Sequence, residues 1–179
     1  MEGVLKVLDI DPGDPNVADT PRRWAKMLVR EAMAGRFTPP PSCTTFPNTT
    51  HVDEVITVGP ITVRSMCSHH FVPIMGHCWI GILPGERLLG LSKYARLAHW
   101  VFSRPQIQEE AAMQLADAIE GAMSPRGVGV IVRAQHLCMT WRGVKEEQSL
   151  MGSSVMRGVF RTEDGARAEL MRLLAGKGM

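Results

Sequence analysis

Between residues 108 and 123, Ala112, Leu115, Ile119 and Ala122 recur every three or four positions among charged and amide side chains, the spacing that lines one face of a helix. A second helix is expected at "SKYARLAHWVFSR", with Pro105 as the break between the two. A third is expected at "DTPRRWAKMLVREAMAG". There Thr20 can cap, Pro21 suits the first helical position, Trp24, Met27, Leu28 and Ala32 fall on one face, and Gly35 can close the end. A last helix, "EDGARAELMRLLAG", finishes the chain. Elsewhere the pattern is that of strands. "EVITV" and "ITVRSMC" flank Gly59 and Pro60 and read as an antiparallel pair joined by a turn, and "HCWIGIL" continues the sheet until "PGE" interrupts it. "VGVIVRAQHLCMTW" and "SVMRGVF" supply further strands, whereas the proline-rich "RFTPPPSCTTFPNTTH" has no period and reads as a linker. Strands, two helices, then strands again without strict alternation predict an α+β fold with an antiparallel β-sheet and two adjacent helices. Residues 1–50 would form an N-terminal helical extension and linker, and residues 51–179 the main domain.

Composition narrows this picture. A chain of 179 residues with 45% hydrophobic content can bury one sizeable core. Its 20 basic and 18 acidic residues contain no long basic run, so no nucleic-acid partner is expected. No apolar stretch reaches the length of a membrane span, and the start "MEGVLKVLDIDPGDP" reads as neither signal nor transit peptide, so the expectation is a cytoplasmic protein without a membrane partner. Four scattered cysteines do not resemble a disulfide framework, and metal binding becomes the leading special use of those with histidine neighbours.

Two clusters have metal-ligand composition: Cys67, His69 and His70 near the end of one strand, and His136 with Cys138 on another. Alternation along an extended strand would project His136 and Cys138 together and send Leu137 into the core. In the first cluster the same rule pairs Cys67 with His69, so a metal shared by Cys67 and His70 needs a bulge or turn. Thiolate and imidazole without a carboxylate cluster favour zinc. Five candidates exceed the four ligands of a closed site, so some could bind metal while others act as acids or bases. The bland alternative is ordinary strand histidines and small core cysteines. Ser92, Lys93 and Arg96 at a helix start could hold a phosphate, and Arg142 follows Cys138 by four residues; a solvated helix face is the alternative. Gln108 and Glu109 open the next helix.

In this order, "CSHHFVPIMG", "GLSKYAR", "RPQIQEE", "PRGVGVIV", "QHLCMTWRGV" and "SSVMRGVF" closely resemble GTP cyclohydrolase I, and "TPRRWAKML" looks like that family's N-terminal helix. The resemblance implies a T-fold and zinc held by Cys67, His70 and Cys138, with a water in the fourth position. His69 and His136 would be unligated imidazoles that move protons. Ser92, Lys93, Arg96 and Arg142 would take the triphosphate of GTP, Glu109 would read the guanine N1 and 2-amino hydrogens, and Gln108 would support base recognition. The implied reaction is hydrolysis at C8 with release of formate to give 7,8-dihydroneopterin triphosphate, a first step of tetrahydrofolate and pterin or 7-deazaguanine biosynthesis. It also implies a homo-oligomer, typically a decamer, with active sites shared between subunits. Two features depart from the family pattern: Ser68 where a Glu is common, and "KEEQSLMGSS" after Arg142, whose Glu146 and Glu147 bring negative charge. The rival readings are a paralogue acting on a different guanine nucleotide and a non-catalytic zinc-stabilised assembly protein.

Overall fold

The computed structural model describes residues 1–176; the last three positions of the expected main domain lie outside the described residues. The chain begins with α1 (Glu2–Val7) and α2 (Thr20–Met27), continues through a π-helical turn (Leu28–Ala32), and adds α3 (Ala34–Phe37). The single expected amphipathic helix is therefore interrupted. Asp19 rather than Thr20 occupies its N-cap, and no residue of α2 is buried. Gly35 does not end it. A side chain at that position would come within 2.0 Å of the Trp100 carbonyl oxygen, so the glycine permits a close approach to a later helix. The approach is fixed by the Gly35 N–H donating to Ser103 C=O at 3.0 Å and the Trp100 indole donating to Thr38 C=O at 2.9 Å.

Within the expected linker, β1 (Thr45–Pro47) pairs with β4 (Arg87–Leu89) as a small antiparallel sheet. The main sheet contains β2 (Ile56–Cys67), β3 (Pro73–Leu83), β5 (Pro105–Gln106), β6 (Gly127–His136) and β7 (Met151–Gly158), in the order β5-β2-β3-β6-β7. Gly59 and Pro60 make no turn. They lie inside one continuous strand, where the step from Val58 to Ile61 faces only the step from Ile80 to Cys78, one extra residue accommodated as a β-bulge. Pairing is antiparallel except that β5 joins the edge parallel to β2, through Met66 with Pro105 and Cys67 with Gln106. The α+β class thus holds, with a mixed sheet in place of a purely antiparallel one.

Helices α4 (Leu91–Phe102) and α5 (Gln108–Met123) cover one face of the sheet. Leu97, Val101, Leu115 and Ile119 pack there against Val63, Ile80, Ile82, Val128 and Val130, alternate residues of three strands pointing the same way. Beyond the sheet, α6 (Leu137–Thr140), α7 (Val159–Thr162) and α8 (Asp164–Ala175) complete the order. Helix α8 lies on the opposite face, where Leu170 and Leu174 pack with Trp79, Ile131 and Phe160. Leu170 sits over two glycines: a Cβ at Gly81 would fall 2.2 Å, and one at Gly129 2.5 Å, from its methyl groups. No described helix is long and apolar enough to cross a membrane.

Candidate functional site

Cys67 is the buried last residue of β2, after which the chain turns through Ser68, His69 and His70. Two backbone hydrogen bonds shape that turn: Phe71 N–H to Cys67 C=O and Cys67 N–H to Val72 C=O, each 2.9 Å. Phe71 adopts a positive φ of 51°. This turn removes the alternation that would have separated the two histidines. His69 Nδ1 lies 3.8 Å and His70 Nδ1 4.0 Å from Cys67 Sγ, and the two rings meet edge-on with centroids 6.2 Å apart.

Cys138 arrives by a different route from the one its spacing suggests. Strand β6 ends at His136, and residues 137–140 form the helical turn α6. The cause is the loss of partners: β7 pairs no further than Ala134 and β3 no further than His136, so the next peptides have no ladder to join and bond locally. Leu137 is correspondingly half-buried and not a core residue. Across these elements one ligand atom each from Cys67, His70 and Cys138 lies within 4.8 Å of the others, and this is the metal-capable group of three found among the described residues. Burial, followed by the neighbouring Cys67, pushes the Cys138 thiol above its ordinary range, with the Arg142 guanidinium acting in the opposite sense. Two adjacent thiols and an imidazole are soft, deprotonatable donors, the set that suits zinc.

His136 faces Ile74 across the sheet and reaches the first turn of α5. Its Nε2 donates to Gln108 Oε1 at 2.9 Å. Burial lowers the His136 pKa, while the nearby Glu109 carboxylate works to raise it. Gln108 is only 2% exposed, and its Nε2 donates to Ser153 Oγ at 2.9 Å, Met151 C=O at 3.2 Å and Val132 C=O at 3.4 Å. The side chain expected to support base recognition is thus engaged at both ends by the protein. Ser153 opens the "SSVMRGVF" motif, but nothing in the sequence assigned it a role at the site. Glu109 is exposed in the first turn of α5, beside the same imidazole. Arg142, just beyond α6, donates from Nη1 to His70 Nε2 at 3.0 Å.

Ser92, Lys93 and Arg96 lie elsewhere. They occupy the first turns of α4, whose Tyr94 hydroxyl contacts Met123 Sδ at 3.5 Å, at the C-terminal end of α5. Gln108 opens the other end of that 16-residue helix, about 24 Å away along its axis. One chain therefore gathers Cys67, His69, His70, Gln108, Glu109, His136, Cys138 and Arg142 at one end of the α4–α5 pair and leaves Ser92, Lys93 and Arg96 at the other. Two further residues settle into plain roles. His77 is exposed on β3, opposite Thr62 and Arg133, and Cys78 is fully buried in the core, its thiol pushed up to about 12 by burial.

Residues 1–175 match the family model described as GTP cyclohydrolase I. Curated relatives named GTP cyclohydrolase 1 include a protein of Pseudoalteromonas translucida, 38% identical over 98% of this chain and 95% of its own length. Another, from Caldanaerobacter subterraneus subsp. tengcongensis, is 39% identical over 97% of this chain and 93% of its own. A third, from Mycolicibacterium paratuberculosis, is 40% identical over 97% of this chain and 86% of its own. Among solved structures, the apo archaeosine synthase QueF-Like is similar at a TM-score of 0.45 and 14% identity, over 67% of this chain and 97% of that one.

Proposed function

The chain belongs to the GTP cyclohydrolase I family of enzymes, and from that premise we propose that it hydrolyses GTP at C8, releasing formate and giving 7,8-dihydroneopterin triphosphate. The observation that carries the reading is the convergence of Cys67, His70 and Cys138 at the end where His136 and Glu109 also lie. Cys67, His70 and Cys138 would hold zinc. When bound, the metal supplies Lewis acidity that makes hydroxide available at neutral pH. His69 and His136 remain outside the ligand set and carry protons to and from the purine nitrogens, a task suited to imidazole near neutrality. Glu109 offers two acceptor oxygens to the adjacent N1 and 2-amino hydrogens of guanine.

Ser92, Lys93, Arg96 and Arg142 bind the triphosphate. Since the first three sit at the far end of α5 from His136 in one chain, the complete site takes them from a second copy in a homo-oligomer, a decamer in the arrangement the family suggests. Exposed apolar side chains at the metal end, Phe71, Trp141, Val144 and Leu150, fit a surface that such an assembly covers. The product would feed pterin and folate or 7-deazaguanine synthesis in the cytoplasm.

Zinc-loaded protein incubated with GTP should release formate and a pterin that fluoresces on oxidation. If GTP binds and neither product appears, the reading fails. Turnover of dGTP in preference to GTP would instead favour a paralogue with altered nucleotide choice, a possibility raised by exposed Glu146 and Glu147 in the loop after Arg142.

A further inference from the structure

Gln108 opens α5 with its side chain directed inward, and all of its amide's partners belong to the protein. Its amide nitrogen faces three acceptors: Ser153 Oγ, Met151 C=O and Val132 C=O. The serine hydroxyl could serve as donor or acceptor, but the two backbone carbonyls can only accept. Turning the amide over would set Oε1 against both carbonyl oxygens at 3.2 and 3.4 Å, replacing attraction by repulsion in a buried place. The orientation is therefore dictated by hydrogen-bond chemistry, which is the proper basis for assigning an amide. Oε1 is left facing His136 Nε2 at 2.9 Å, and since this oxygen can only accept, the imidazole must donate.

We propose that Gln108 is a positioning residue for His136: oriented by Ser153 and the Met151 and Val132 carbonyls, its amide oxygen accepts from Nε2–H and so fixes the tautomer and the plane of the imidazole. Gln108 then acts on the rate through His136 and does not read the base. The assignment deepens the cyclohydrolase reading and rests on it for the turnover assays, whereas the tautomer itself is measurable without turnover. Both neutral tautomers of histidine are accessible in water, so a fixed acceptor at Nε2 selects one and also fixes the ring plane.

Long-range ¹H–¹⁵N NMR of histidine-labelled, zinc-loaded protein, with His136 identified by its loss in His136→Ala, should show the Nε2–H form in the wild type. Gln108→Met should mix the tautomers and lower kcat about 10- to 100-fold, with KM for GTP and the preference for GTP over ITP unchanged. Should Gln108→Met fail to fold, Ser153→Ala provides the milder test, with a broadened Nε2–H resonance and a few-fold lower kcat at constant KM. An Nδ1–H tautomer in the wild type would overturn the assignment. So would a Gln108→Met protein that keeps kcat while losing GTP affinity and the distinction from ITP, the signature of a base reader, or a Ser153→Ala protein unchanged in both resonance and rate. Absence of any turnover by the wild type would sink the activity reading but not the tautomer.

Discussion

At the Gln108 end of the α4–α5 pair most of the polar side chains are held by the protein itself, exposed Glu109 being the exception. Gln108 links His136 to β7, Cys67 and Cys138 are tied to the ends of a strand and a helical turn, and Arg142 bonds to His70. At the Leu91 end, Ser92 and Arg96 are exposed, Lys93 is half-buried, and none of them forms an ion pair among the described residues. The same two helices thus present one set of groups that is built in and one that is left loose. Proton transfer and metal ligation demand placement to within tenths of an ångström, whereas a cation meeting a flexible triphosphate can find its partner after binding. On the proposed reading, the held end would carry the chemistry and the loose end would supply charge to the copy that docks against it.

Perturbing each end separately tests that division. Cys138→Ser should have the largest effect, lowering bound zinc measured by metal analysis and removing turnover with it. His136→Ala should cost about 10²- to 10⁴-fold in kcat with the zinc content unchanged. Equal loss of metal in both variants would mean that ligands and proton carriers have been wrongly separated. Lys93→Ala or Arg96→Ala should raise KM for GTP roughly tenfold or more while metal and kcat stay near wild type, the loss of one charge-assisted contact to phosphate. Co-assembling His136→Ala subunits with Lys93→Ala/Arg96→Ala subunits should restore about a quarter of the sites at low GTP, because random neighbours sometimes bring two intact halves together. No recovery in a verified mixed oligomer would place both halves of the site in one chain. Ser68→Glu should have the least effect, within about twofold in kcat. The Ser68 side chain is exposed, and its backbone N–H bonds to Gln106 C=O at 3.3 Å whatever residue stands there.

The parts of this molecule that could be read in the sequence are those whose partners do not matter in detail. The apolar spacing of α5 locates the helix because any core on one side produces the same pattern, and the buried strands announce themselves through β-branched residues in the same way. Sequence and structure part where local chemistry has two outcomes. Gly59–Pro60 reads as a turn but is absorbed as a bulge, since β3 continues alongside and keeps the strand paired. Residues 137–140 read as strand but coil, since β7 pairs no further than Ala134 and β3 no further than His136. In the site, the metal-capable residues could be nominated from residue type and family resemblance. The turn that brings His70 round to Cys67, and the Gln108–His136 contact across 28 positions, depend on which elements lie side by side. Spacing along the chain carries no record of that.

On the far face of the sheet, the gap formed by Gly81 and Gly129 is a property shared with Leu170. Leu170→Ala alone should cost about 2–5 kcal/mol through the cavity it opens, and Gly81→Ala alone about 1–3 kcal/mol through crowding. Made together, the two changes should cost less than their sum, because each removes part of the other's fault. The three positions are therefore one unit of inheritance. Related sequences that carry a side chain at 81 or 129 should carry a smaller residue at 170, so that drift at this face proceeds by paired replacement.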